Sequence, residues 1–185
     1  MSDLSAVIAT GGVREITEAL DAASEADRIA VVQAMSRNAQ KRLWSVASAG
    51  SLAGGELIMA DATERFAGRN SLALFSRFEK WFFRSGERTF GMNRHALRPL
   101  IGPGYFGVQE RPSGGLVFDY GKLPDAAPQA WPAVRSNDKG LARAVYGGLV
   151  DEVVWVSRDV LVGAAFRDGR PMDSYFVLAR REAKG

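Results

Sequence analysis

The sequence predicts an α+β fold in which N-terminal helices pack on or beside an antiparallel β-barrel. Three observations predict it. Apolar residues recur at helical spacing over the first fifty positions, and beyond residue 88 short strand-like runs alternate with turn signals at hairpin spacing. The chain of 185 residues and 20.0 kDa is long enough for one domain with a helical appendage. Its 46% hydrophobic and 24% charged residues are ordinary globular values and exclude wholesale disorder. The expected division is a helical segment over 1–50 and a barrel over 51–185, forming one compact unit.

Residues 11–50 read as helix. Val13, Ile16 and Leu20 fall on one face, and Ser24 with Asp27 forms a Ser-x-x-Asp helix start. Ile29, Val32, Met35, Ala39, Leu43 and Val46 then make one long apolar stripe, with Gly50 as a stop. That stripe needs a partner, either the barrel or a second copy of the chain in a homodimer. Gly50–Gly55 is small and flexible, hence a linker or turn. Over 71–84, Leu74, Phe78, Trp81 and Phe82 suit a helix, while the density of aromatics also suits a strand buried on both faces. Gly102-Pro103-Gly104-Tyr105 matches a type II turn, and Tyr105–Gln109 with Leu116–Tyr120 forms a hairpin across Pro112 and Gly114-Gly115. Asp151–Val156 pairs with Val160–Phe166, and Tyr175–Ala179 follows the turn Asp168-Gly169-Arg170-Pro171. Prolines 124, 128 and 132 make 121–139 a long extended loop, either a lid or a crossover that wraps the barrel with Trp131 plugging its end.

Over roughly residues 100–180 the chain resembles small calycin-type, lipocalin-like proteins, in particular bacterial lipocalin-like domains of unassigned function. The resemblance is carried by Gly102-Pro103-Gly104-Tyr105-Phe106, by Phe118-Asp119-Tyr120, and by Asp151-Glu152-Val153 with Val160-Leu161-Val162-Gly163 and Tyr175-Phe176-Val177-Leu178. It implies a calycin-like barrel that binds a small apolar or amphipathic molecule. The chain departs from the pattern by lacking the lipocalin Gly-x-Trp motif and by carrying a helical preface.

Composition removes several chemistries. With no cysteine there is no disulfide, thiolate nucleophile or iron–sulfur cluster, and with one histidine there is no multi-histidine metal site within one chain. Phosphate-loop and nucleophile-elbow motifs are absent. No metal or cofactor is expected, no transmembrane segment is visible, and the location expected is cytoplasmic. The net charge of +3 hides an asymmetry: residues 1–70 hold 7 basic and 9 acidic side chains, and 71–185 hold 17 and 12. A net +3 is weak for a dedicated nucleic-acid binder.

Six residues are candidates for holding a ligand. His95, in a basic setting that would keep its ring neutral, could orient a polar group or act as a base; otherwise it is a hydrogen-bonded structural residue. Asp119 ends a strand and, if inward, needs a partner such as Arg135; if outward, it simply faces water. Tyr105, Trp131 and Tyr146 offer apolar walls with polar tips. A metal-independent isomerase or cyclase in the same cavity, with Asp119 or His95 as base, is the enzymatic alternative. The third reading is a membrane or nucleic-acid surface over 65–98, where Arg65, Arg69, Arg77, Lys80, Arg84, Arg88, Arg94 and Arg98 interleave with seven aromatics. The competing explanation is core packing, with arginine stems covering apolar edges.

Overall fold

A computed structural model describes residues 3–49, 57, 63–72, 76–112 and 114–182. Four helices come first: α1 (Leu4–Thr10), α2 (Val13–Ala22), α3 (Glu25–Ala34) and α4 (Arg37–Ala49). Eight strands then follow: β1 (Glu64–Asn70), β2 (Arg77–Ser85), β3 (Arg88–Arg94), β4 (Tyr105–Glu110), β5 (Leu116–Asp119), β6 (Leu149–Ser157), β7 (Val160–Arg167) and β8 (Arg170–Arg181). Two short helices interrupt them, α5 (Arg98–Ile101) before β4 and α6 (Gly140–Tyr146) before β6. Each strand pairs antiparallel with the next, and β8 returns to β1 with Gly68 opposite Leu178, so the sheet is a closed eight-stranded barrel with no free edge. This is the α+β class that the sequence predicts.

The long apolar stripe is two helices. α3 stops at Met35, and Ser36 starts α4 by accepting a hydrogen bond from the Ala39 backbone at 3.3 Å, while Gln40 donates to the Met35 carbonyl at 3.2 Å. The Ser24 start is as read, its hydroxyl accepting from Asp27 N. Helix α1 lies ahead of the helical segment predicted over 11–50. The stripe's partner is the barrel: Ile16, Leu20, Val32, Leu43 and Ala47 bury themselves against the outward side chains Val156, Val160, Val162, Val177 and Ala179. Polar ties fix the docking. Thr17 donates to the Val156 carbonyl at 2.7 Å, Gln33 to the Gly68 carbonyl at 3.0 Å, and buried Arg28 pairs with Asp159 at 3.1 Å. Gly50–Gly55, the boundary at 50/51, and Leu74 and Phe75 lie outside the described residues.

Strand alternation resolves the ambiguous and basic-aromatic stretches. Over 77–85 the chain is strand β2, so Phe78, Lys80 and Phe82 share the inner face while Glu79, Trp81 and Phe83 face out. Of the described aromatics in this stretch, Phe66, Phe78 and Phe82 pack inside the barrel, and Phe83 and Phe90 lie under the 121–139 segment. Trp81 stays half-buried on the outer wall between the guanidiniums of Arg65 and Arg94, 4.3 and 4.5 Å from its ring.

The 121–139 segment has neither helix nor strand and wraps the outside of β2–β4. Leu123, Ala127, Trp131 and Val134 cover Phe83, Phe90, Met92 and Tyr105. Buried Asn137 ends the wrap by donating to the carbonyls of Tyr105 and Tyr120 at 2.7 and 2.8 Å.

Inside, one half of the barrel is filled and the other is hollow. Phe66, Phe82, Phe106, Phe118, Trp155, Leu161 and Leu178 pack the filled end, with Phe106 and Phe118 stacked at 4.9 Å. Room for large rings comes from glycines directly opposite them across the sheet. Gly68 faces Phe78, Gly91 faces Phe106, and Gly163 faces Phe176. A Cβ on Gly163 would stand 2.2 Å from the Phe176 ring, and one on Gly91 2.4 Å from Phe106.

Candidate functional site

The hollow end is a cavity of about 390 Å³, within the ~300–1,000 Å³ usual for small-molecule sites. Its walls include Leu97 and Ile101 around α5, Val145 of α6, Leu149 of β6 and Phe176 of β8. Its floor is a polar cluster resting on the filled half. Lys80, 2% exposed, reaches inward from β2, and its Nζ lies 4.4 Å from the ring centre of Phe106 and 5.1–5.2 Å from those of Phe118, Tyr120 and Phe176. Rings from β4, β5 and β8 thus surround the amine near the barrel axis.

Three partners hold it. Lys80 Nζ donates to the Tyr120 hydroxyl at 2.7 Å and to Asn93 Oδ1 at 2.9 Å, and Asp151 Oδ2 lies 3.4 Å away. The Tyr120 hydroxyl also accepts from Asn93 Nδ2 at 3.0 Å and donates to Asp151 Oδ2 at 3.2 Å. Each of these residues sits where its strand demands. Asp151 shares the inner face with Val153 and Trp155, Asn93 with Gly91, and Tyr120 directly follows β5 with its carbonyl gripped by Asn137.

Burial governs the protonation of this cluster. Loss of water lowers the Lys80 amine to about 8, against the opposing pull of Asp151. Burial also raises the Asp151 carboxyl, although Lys80 and Tyr120 act to lower it. Both partners therefore move toward their neutral forms. The Tyr120 hydroxyl is pushed well above the ordinary tyrosine value, by burial first and then by the charge of Asp151.

Above the floor, His95 Nε2 lies 2.9 Å from the Tyr146 hydroxyl, and the Tyr146 ring stacks on Tyr120 at 5.2 Å with planes 7° apart. Burial, then Arg98 and Lys80, lower the His95 ring, so it is neutral near pH 7. Burial pushes Tyr146 up to about 12. Gly104, at φ +53°, lets Tyr146 lie over the backbone, since a Cβ there would stand 2.3 Å from the ring.

Of the six residues singled out by type and position, the structure brings His95 and Tyr146 together at the cavity. The other four lie elsewhere. Tyr105 neighbours inward Phe106 and so points outward, donating to the Pro132 carbonyl at 2.7 Å beneath the wrap. Trp131 packs on Trp81 and Phe83 at 5.4 and 5.1 Å on that same outer wall. Asp119 turns away from the lumen, accepting from Gly121 N at 2.9 Å and facing Lys122 at 3.7 Å. Arg135 is exposed on the wrap. Lys80, Asn93, Tyr120 and Asp151 were not among the six, yet a signal for one was present: Lys80 stands at strand spacing between Phe78 and Phe82.

Fold and site together define a helix-flanked antiparallel β-barrel with one packed end and a polar-floored cavity at the other. No protein-family model, curated protein or solved structure matches the chain. Among the described residues no helix is long and apolar enough to cross a membrane.

Proposed function

We propose that this chain binds a small amphipathic molecule in the hollow end of its barrel, the apolar body against Leu97, Ile101, Val145 and Phe176 and the polar end on the Lys80 floor. The observation that carries this reading is a buried polar cluster beneath apolar walls. A buried ion pair adds little stability over well-packed apolar residues, and here the ring layer of Phe106 and Phe118 already fills the barrel below it. Retaining four polar groups there is accounted for by a ligand that they orient. The lipocalin-like pattern of residues 100–180 points the same way, as an analogy of fold. The alternative, a metal-independent isomerase or cyclase acting in the same cavity, draws support from neutral His95 and from the adjacent acid–base groups Asp151 and Tyr120.

Native mass spectrometry of the freshly purified protein, with its absorbance spectrum, tests the binding reading together with a thermal titration by octan-1-ol. A discrete co-purifying mass, or a melting temperature that rises with alcohol concentration, is expected. An apo mass together with a melting temperature unmoved by the alcohol would overturn it.

A further inference from the structure

The floor of the cavity carries a chemical feature that simple binding leaves unused. Among its 24 basic residues the chain has 19 arginines and five lysines, and the one seated at the barrel axis is a lysine. An arginine would supply the same charge and more donors, but it never gives up its proton. Only lysine at this position furnishes a nucleophilic nitrogen. That nitrogen lies 2.7 Å from a hydroxyl, Tyr120, and 3.4 Å from a carboxyl, Asp151, in a cavity whose other walls are largely apolar.

We infer that the molecule held in this cavity is an apolar aldehyde or ketone, captured by Lys80 Nζ as an imine. The inference rests on the small-molecule reading above and deepens it. In the capture step the nitrogen lone pair adds to the carbonyl carbon, and the π pair moves to oxygen. Asp151 takes a proton from nitrogen and returns it to that oxygen, giving the carbinolamine. A second proton follows the same route, the C–O bond breaks, and the N=C bond forms. The two amine hydrogens and the carbonyl oxygen thus leave as one water, with no oxidant or reductant needed.

Three features of the site suit this step. Asp151 and the Tyr120 hydroxyl are joined at 3.2 Å, so an acid–base pair flanks the nitrogen. Imines hydrolyse readily in bulk water, and the amine, 2% exposed, is flanked by the rings of Phe106, Phe118 and Phe176. The amine, lowered by burial, holds a larger neutral fraction at pH 7 than an ordinary lysine does.

The test uses the intact chain, octanal as carbonyl probe, octan-1-ol as its non-carbonyl counterpart, and borohydride to reduce any imine. At pH 7 with one equivalent of octanal, peptide mapping is expected to place a single reduced adduct on Lys80. Lys41, Lys122, Lys139 and Lys184 should be labelled at least tenfold less, and excess octan-1-ol should suppress the Lys80 adduct. Labelling spread over the other lysines, or no adduct at all, overturns the inference. If octan-1-ol still raises the melting temperature in that case, the binding reading stands and only the covalent step fails. If neither probe binds, both fail. Lys80→Arg, which keeps the charge, is expected to lose the adduct, and the mapping on the unaltered chain decides the matter even where that variant does not fold.

Discussion

Lys80 and Asp151 are 2% and 4% exposed, so each is tolerated because the other is present. Lys80→Met leaves a buried carboxyl without its cation, and urea unfolding should show a loss of about 3–5 kcal/mol. Adding Asp151→Leu should recover most of that loss, because the pair is then replaced by apolar groups. His95 gives a second, pH-dependent prediction. Its folded-state value lies below the ordinary 6.5, so the unfolded chain binds the proton more readily. The stability contributed by neutral His95 is complete above pH 6.5 and is lost as the pH falls through the lowered value. The stability difference between the natural chain and His95→Gln should therefore shrink between pH 7 and pH 5. A constant difference across that range would show that the ring does not titrate differently on folding. At this scale the sequence was only partly legible. Adjacent aromatics at 105 and 106 leave the inward residue undetermined, since a shift of one position exchanges the two faces. The alternation Phe78, Lys80, Phe82 was the readable clue, but it lay in a stretch that also suited a helix.

Among the elements, the barrel depends on glycine–ring pairs across neighbouring strands. Gly163→Ala would drive a methyl into the Phe176 ring, and overpacking of this kind destabilises by about 1–3 kcal/mol, measurable by denaturant titration. Phe176 also lines the cavity, so the same substitution should weaken probe binding. The wrap over 121–139 is held at its end by Asn137. Asn137→Ala removes both of its hydrogen bonds and leaves the buried carbonyls of Tyr105 and Tyr120 without that donor, a loss of about 1–3 kcal/mol. Limited proteolysis should then cut first within 121–139, whereas unchanged cleavage would mean that the wrap is held by Trp131 and its neighbours instead. These elements were largely legible. The β4–β5 and β6–β7 hairpins are announced by turn residues, and three prolines mark the wrap as irregular. The break at Met35-Ser36 escaped the apolar periodicity because the stripe stays in phase across it, and only the capping preference of Ser36 hints at it.

Across the whole molecule, helices α2–α4 cover the outer wall of β6–β8, the wrap covers β2–β4, and the packed rings close one end. Among the described residues, the end where α5 and α6 flank the Lys80 floor is left open. The class of fold could be read from periodicity and turns. The filled and hollow halves could not, because both use inward residues of the same alternating pattern and differ only in which rings meet across the lumen. Mapping octan-1-ol onto the isotopically labelled protein by nuclear magnetic resonance would locate the binding site within this architecture. The cavity predicts shifts concentrated on Leu97, Ile101, Val145, Leu149 and Phe176, with a change at the Lys80 side-chain nitrogen. Shifts confined to the outer wall around Trp81 and Arg94, or none at saturating alcohol, would contradict it.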